Sequence, residues 1–393
     1  MIHDFTYCVP TQVVFGRDTE KQVGEMLRSL GGSRILVIYG GGSVVRSGLL
    51  ARVADAMNAC GLCFFTKGGV KPNPRLSFVK EAIDEYRSES IDFLLAVGGG
   101  SVIDSAKFIA HGLANPAVDV TDIWLKKTAI TKSLPVGVVL TIPAAGSETS
   151  DSAVLSDDIG VNGKRGLGTP LNRPSFAIMN PALAGTLPAY QVACGVSDIM
   201  MHTLDRYFNP LANELTDALA EALLRTVIFY GPQAVESPDN YDAMSEIMWA
   251  GSLSHNGLTG LGGIKDFAPH QLGHELSAAH DVAHGASLAA IWDSWAVYVC
   301  PDNVGRFARY ARKVWGICES DDEMAAAAGI QATRDFFKSI GMPTSVTECV
   351  GKQTDRQLSR LAHGCSYGRT RTIGSLRELD FDDMLTIYSM ANK

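Results

Sequence analysis

Basic residues are the minority: 34 Lys and Arg stand against 42 Asp and Glu, a net charge of −8. A surface that coats DNA or RNA needs the opposite balance, which excludes nucleic acid as a general partner. No apolar run approaches the roughly 20 residues that cross a bilayer. The best candidate, residues 286–300, is short and interrupted by Asp293, so no membrane partner is expected. Met1-Ile2-His3-Asp4 has no basic region leading into an apolar stretch, which predicts no secretory signal and a cytoplasmic location. Cysteine is sparse: of eight, only Cys60 and Cys63 form a C-x-x-C, and no second pair or nearby His completes a zinc pattern. They read as packing thiols of a reducing compartment. What is plentiful is core material. Apolar residues make up 46% of 393 residues and charged residues 19%, enough for two domains.

The two halves have different grammar. In the first, the apolar runs 34–39, 91–97 and 136–142 lack strict alternation and suit strands buried on both faces of a parallel sheet. Residues 47–59 and 76–87 read as crossover helices, giving repeated βαβ units. After about residue 186, helical periodicity dominates over 214–230, 243–254, 287–299, 322–340 and 355–363. Asn209-Pro210, Gly231-Pro232, Cys300-Pro301 and Gly341-Met342-Pro343 read as helix stops. The expected architecture is an α/β dinucleotide-binding domain with a parallel sheet over 1–186, then an all-α metal-binding and catalytic domain over 187–393.

Twice, three glycines and a serine follow a buried strand and precede a helix: Gly40-Gly41-Gly42-Ser43 and Gly98-Gly99-Gly100-Ser101. Glycine lets a ligand touch bare backbone, and a helix start offers free N–H groups, a combination suited to pyrophosphate. Neither copy is G-x-G-x-x-G, and either alone is compatible with an ordinary tight turn. Asp104 and Lys107, one helical turn apart, read equally as an exposed ion pair or as a loop anchor.

Four of nine histidines fall within fifteen residues: His270, His274, His280 and His284. Upstream, Asp198 and His202 stand four apart, so on a helix both side chains share a face and can close on one ion. Asp with His suits Fe2+ or Zn2+ better than Mg2+ or Ca2+. His270 and His284 would lie roughly 21 Å apart on an unbroken helix. Either a pair four apart is used, 270/274 or 280/284, or the chain turns back between them. The segment 280–285 reads as such a break. His274-Glu275 does not open an H-E-x-x-H motif, because Ala278 stands where the second histidine would be.

Taken together, these segments resemble the iron-containing alcohol dehydrogenase family, in particular its branch of bacterial NADP-linked aldehyde reductases and butanol dehydrogenases. The resemblance runs nearly end to end, through residues 39–43, 68–74, 98–107, 143–148, 186–188, 195–202 and 270–285. It implies Asp198, His202, His270 and His284 as ligands of Fe2+ or Zn2+, and His274 as a proton relay beside nicotinamide and substrate. Cofactor positions map onto Gly41, Gly42, Ser43, Asn73, Gly99, Gly100, Ser101, Asp104, Thr141 and Lys164. The chain departs from the pattern at 143–146, where Ala145 lacks the hydroxyl of a Thr, and at Asn180-Pro181, which replaces a common Asp-Pro.

The reaction this implies is reversible hydride transfer between NAD(P)(H) and a small alcohol or aldehyde. NAD-selective sites place a carboxylate at the ribose 2′ position; Gly41, Gly42 and Ser43 offer none, so NADP(H) is expected over NAD(H). A homodimer is implied by resemblance alone. The rivals are a dehydroquinate synthase-like lyase and a glycerol dehydrogenase-like polyol enzyme. The lyase needs cations beside the ligands for a phosphorylated substrate, and residues 195–290 offer only Arg206, Arg225 and Lys265. A metal-dependent hydrolase leaves the glycine loops unexplained, and a non-catalytic metal-binding scaffold is the remaining reading.

Overall fold

The computed structural model describes residues 3–160, 163–211 and 213–393. They form two compact units, Cys8–Thr186 and Leu187–Lys393, and residues 3–7 belong with the second.

The first unit holds eight strands: β1 (Gln12–Phe15), β2 (Arg34–Tyr39), β3 (Cys63–Lys67), β4 (Phe93–Gly98), β5 (Val136–Leu140), β6 (Ser152–Ser156), β7 (Lys164–Gly168) and β8 (Phe176–Met179). Six make a parallel sheet in the order β1-β8-β5-β4-β2-β3, while β6 and β7 form a separate antiparallel pair. The helices of this unit are α1 (Val23–Ser29), α2 (Ser43–Arg46), α3 (Leu49–Ala59), α4 (Leu76–Tyr86), α5 (Gly100–Ala114) and α6 (Val120–Trp124).

Continuous apolar runs form the central strands because both sheet faces are covered. On one face Val23 and Leu27 of α1 and Leu49, Val53 and Met57 of α3 pack with Ile35, Val37, Phe93, Leu95, Val139 and Ile178, all buried. On the other, α5 lies over β4 and β2, with α4 against it. Each fully buried Val, Leu or Phe there contributes about 1.5–3 kcal/mol.

Strand order reverses beside β2. The next strand, β3, pairs on one side, whereas β4 and then β5 are laid down on the other. Because β2 and β4 are parallel neighbours, the loops at their C-terminal ends emerge side by side. Those are the two glycine loops, and such a reversal is where open α/β sheets place ligands.

The second unit is built of α7 (Ala189–Tyr207), α8 (Glu214–Glu236), α9 (Tyr241–His255), α10 (Ala268–His280), α11 (His284–Val299), α12 (Val304–Trp315), α13 (Asp322–Ser339), α14 (Val346–Val350), α15 (Asp355–Cys365) and α16 (Phe381–Ala391). Gly231-Pro232 does not stop its helix: α8 continues to Glu236. Proline removes one N–H bond. The adjacent Gly231 packs so closely on Val196 of α7 that a Cβ there would come within 2.8 Å of the Val196 side chain. Tertiary packing therefore overrides the local stop signal. All eight cysteines are free; Cys365 is buried, Cys60, Cys194, Cys300 and Cys349 are half-buried, and the exposed Cys8, Cys63 and Cys318 are not the packing thiols expected. Among the described residues no helix is long and apolar enough to cross a membrane.

Candidate metal centre and nucleotide loops

On α7, Asp198, His202, Asp205 and Arg206 stand at i, i+4, i+7 and i+8, one stripe of a 3.6-residue helix. All four are buried. His270 arrives from the first turn of α10 and His284 from the first residue of α11. The chain turns back between these helices at Asp281, which adopts a left-handed conformation with φ +51°. A second device brings α11 in. Gly285 lies against α7 so tightly that a Cβ would sit 2.0 Å from the Cys194 carbonyl oxygen. Ser197 Oγ donates to the Gly285 carbonyl at 2.9 Å.

The result is convergence on Asp198. Its Oδ1 lies 3.4 Å from His202 Nε2, 3.7 Å from His270 Nε2 and 3.9 Å from His284 Nε2. Donor atoms of Asp198, His202 and His270 fall within 4.8 Å of one another. His274, one turn beyond His270, is half-buried, and its ring centroid is 5.0 Å from that of His284. His280 closes α10, on the far side of the break from His284.

Whether these residues suit a cation can be tested on the atoms themselves. Asp198 Oδ1 and His270 Nε2 are both buried and neither makes a hydrogen bond. An acceptor left so costs about 1–3 kcal/mol, and in a native fold such a group calls for an ion or water. His270 Nδ1 lies 2.5 Å from Asp205 Oδ2, a carboxylate that accepts, so Nδ1 carries a proton and Nε2 is the nitrogen that faces Asp198. Burial opposes charge on His270, yet the Asp205 and Asp198 carboxylates raise its pKa overall. On His202, burial and then the neighbouring His255, His270 and Arg206 drive the pKa well down. A bound cation would displace any proton from His270 Nε2, and one carboxylate with imidazoles neutral in that bound form fits a borderline divalent ion, Fe2+ or Zn2+.

Sequence reading missed Asp205, Arg206 and His255. The first two were legible as continuations of the α7 stripe. His255, at the end of α9, had no signal; its Nδ1 lies 2.8 Å from His202 Nδ1.

In the first unit, Gly41, Gly42 and Ser43 follow β2, with Gly42 at φ +107° and Gly41 open to solvent. Gly99, Gly100 and Ser101 follow β4 at the start of the 15-residue α5. Thr141 donates its backbone N–H to the Gly98 carbonyl at 3.1 Å, which fixes it beside the second loop. Lys164 of β7 donates to Asn73 Oδ1 at 3.1 Å, so these two meet as a buried pair.

Asp104 and Lys107 are not an exposed ion pair, and the segment they hold is 147–154 rather than the glycine loop itself. Asp104 Oδ1 accepts from Ser147 Oγ at 2.6 Å and Oδ2 from the Val154 N–H at 2.9 Å. Lys107, fully buried, donates to the carbonyls of Ser147 and Ser152 at 2.7 and 2.8 Å. Burial pulls its pKa down to about 8, against the pull of Asp104 and other carboxylates.

A parallel α/β sheet with glycine loops at its reversal point, together with a buried Asp–His cluster on helices, defines a nucleotide-dependent metalloenzyme class. The family description "Iron-containing alcohol dehydrogenase" matches residues 10–181, and its C-terminal counterpart matches 191–392. The chain belongs to the iron-containing alcohol dehydrogenase family. It is 39% identical to NADH-dependent butanol dehydrogenase A of Clostridium acetobutylicum, over 98% of each chain. It is 35% identical to the NADPH-dependent aldehyde reductase YqhD of Escherichia coli, over 99% of this chain and all of that one. The solved structure of NADH-dependent butanol dehydrogenase A from Thermotoga maritima superposes with a TM-score of 0.96 at 32% identity, covering 100% and 99% of the two chains. The protein is therefore a metal- and NAD(P)-dependent alcohol/aldehyde oxidoreductase, and the lyase and polyol alternatives are not favoured.

Proposed function

We propose that the protein is an NADPH-preferring reductase of small aldehydes, running reversibly as an alcohol dehydrogenase, with Asp198, His202, His270 and His284 as the ligands of one divalent ion, Fe2+ or Zn2+. The observation that carries this reading is the pair of buried, unbonded atoms, Asp198 Oδ1 and His270 Nε2, facing each other at 3.7 Å. When bound, a divalent ion supplies Lewis acidity to an aldehyde or alcohol oxygen. One carboxylate and three neutral imidazoles leave the centre near a charge of +1, which favours negative charge developing on that oxygen.

The chain's own residues do the rest. His274, half-buried, holds the proton exchanged with the substrate oxygen. Gly41, Gly42, Ser43, Gly99, Gly100 and Ser101 present backbone to the pyrophosphate, with the α5 N-terminus behind the second loop. Asn73 and Lys164 position one another for ribose or phosphate contact, Thr141 lines the second loop, and Asp104 keeps the 147–154 segment closed over α5.

Preference for NADPH rests on the loop after β2, which has no acid to oppose a 2′-phosphate. The names of relatives divide on this point: butanol dehydrogenases A and B of Clostridium acetobutylicum are NADH-dependent, YqhD NADPH-dependent. A cytoplasmic homodimer belongs to the same reading. An NADPH- and NADH-oxidation screen over aldehydes of increasing chain length tests it. Higher kcat/KM with NADPH is expected; equal or better turnover with NADH overturns the preference, and no oxidation with any aldehyde overturns the activity.

A further inference from the structure

We propose that His255, oriented by Arg206, is a positioning residue that sets the tautomer of the metal ligand His202. The inference rests on His202 being a ligand, as proposed above, and concerns what makes it one.

Two hydrogen bonds at one nitrogen fix where the proton sits. The Nδ1 atoms of His202 and His255 are 2.8 Å apart, a hydrogen bond in which one nitrogen must donate and the other accept. Distance alone does not say which. Arg206 does: its Nη2 lies 3.2 Å from the same His255 Nδ1. A guanidinium has only donors. His255 Nδ1 is therefore the acceptor for both neighbours, and the proton on the short bond belongs to His202 Nδ1. A neutral His202 protonated there has its lone pair on Nε2, the atom 3.4 Å from Asp198 Oδ1. With the opposite tautomer, an N–H would point at the carboxylate and the ring would hydrogen-bond to Asp198 in place of an ion.

Arg206 is itself held. It donates Nη1 to the His202 carbonyl at 2.6 Å, and its guanidinium lies 4.9 Å from the Phe267 ring centroid. The His202 and His255 rings meet edge to face with centroids 4.0 Å apart, and Arg206, His202 and His255 are all buried. Competition from water is therefore weak, and the bonds fix ring orientation as well as proton position.

The centre is thus backed from two sides in chemically opposite ways. His270 is set by a carboxylate, Asp205; His202 is set by a neutral imidazole beside a guanidinium. The first backing makes the imidazole a stronger donor to a cation, and the second does not. Such outer partners ordinarily change metal affinity about 10–100-fold.

The test uses Co2+ as a spectroscopic probe of the full-length protein, stripped with chelator and reloaded. His255→Phe keeps an aromatic ring but removes the acceptor; His255→Asn keeps an acceptor near the Nδ1 position. The Phe variant is expected to bind Co2+ about 10–100-fold more weakly in chelator competition and to shift the visible Co2+ bands. The Asn variant is expected to recover affinity to within about 3-fold of the parent. Parental affinity and unchanged bands in the Phe variant overturn the role of His255, and so does an Asn variant as impaired as the Phe variant. If the parent itself binds no Co2+, the ligand assignment of His202 falls as well, which separates the two failures. Should the Phe variant not fold, nitrogen NMR of 15N-histidine-labelled, metal-free parent reads the tautomer directly. A protonated Nδ1 on His202 supports the assignment, and a protonated Nε2 overturns it.

Discussion

His270 Nδ1 and Asp205 Oδ2 lie 2.5 Å apart, both side chains buried, with Asp205 on α7 and His270 on α10. The bond ties together the two helices that supply most of the candidate ligands. It also leaves Nε2 as the nitrogen of His270 that faces Asp198, open to a cation.

Asp205→Asn keeps the shape and removes the charge. The amide can present N–H to His270 Nδ1, which would move the proton to Nε2 and close that donor. Affinity for Zn2+ or Fe2+, measured against a chelator, is expected to fall about 10–100-fold. Parental affinity would show that Asp205 does not act through His270.

Gly285→Ala places a Cβ 2.0 Å from the Cys194 carbonyl oxygen, far inside van der Waals contact. The start of α11 must retreat from α7 and take His284 with it. A stability loss of about 1–3 kcal/mol is expected in denaturant unfolding. Metal content measured on the same sample should fall too, because His284 leaves the cluster.

The glycine loop after β2 is open at Gly41. Gly41→Asp brings a carboxylate toward the 2′ position and should lower the ratio of kcat/KM for NADPH over NADH by about tenfold, roughly 1.4 kcal/mol. An unchanged ratio would place the 2′ group elsewhere.

His111 gives the first unit an acid limit. It is fully buried, with Nε2 2.8 Å from Asn172 Oδ1 and Nδ1 2.9 Å from Ser133 Oγ. Burial lowers its pKa from 6.5 to about 4, outweighing the Asn172 bond. The folded state therefore binds fewer protons than the unfolded state between these values. Its contribution is fully present above about pH 6.5 and lost as pH falls toward 4, up to about 3 kcal/mol. Denaturant unfolding across that range should show a steeper pH dependence in the parent than in His111→Gln; identical slopes would rule this out.

Much of this was readable in advance, for identifiable reasons. β2, β4 and β5 announce themselves because strands covered on both faces must be apolar throughout. β1 and β8 have four residues each, and β3 ends in Thr66-Lys67, too little for a pattern. β7 begins Lys164-Arg165-Gly166, which has no strand character of its own. Its partner β6 is held at Ser152 and Val154 by Lys107 and Asp104, contacts that no local rule foresees. In the second unit, Asp198 and His202 were legible by spacing alone. The approach of His284 depends on Asp281 turning left-handed and on Gly285 touching α7, and sequence suggested the break without its direction. His255 reaches His202 only because α9 packs on α7, which periodicity does not encode.

The most direct test is metal content per chain of anaerobically purified protein, before and after Asp198→Ala with His202→Ala. About one Fe2+ or Zn2+ per parent chain is predicted, with none retained by the double variant and its fold intact by circular dichroism. A parent that reduces aldehydes at full rate after complete metal removal, or a double variant that keeps its ion, would contradict a centre built on these residues.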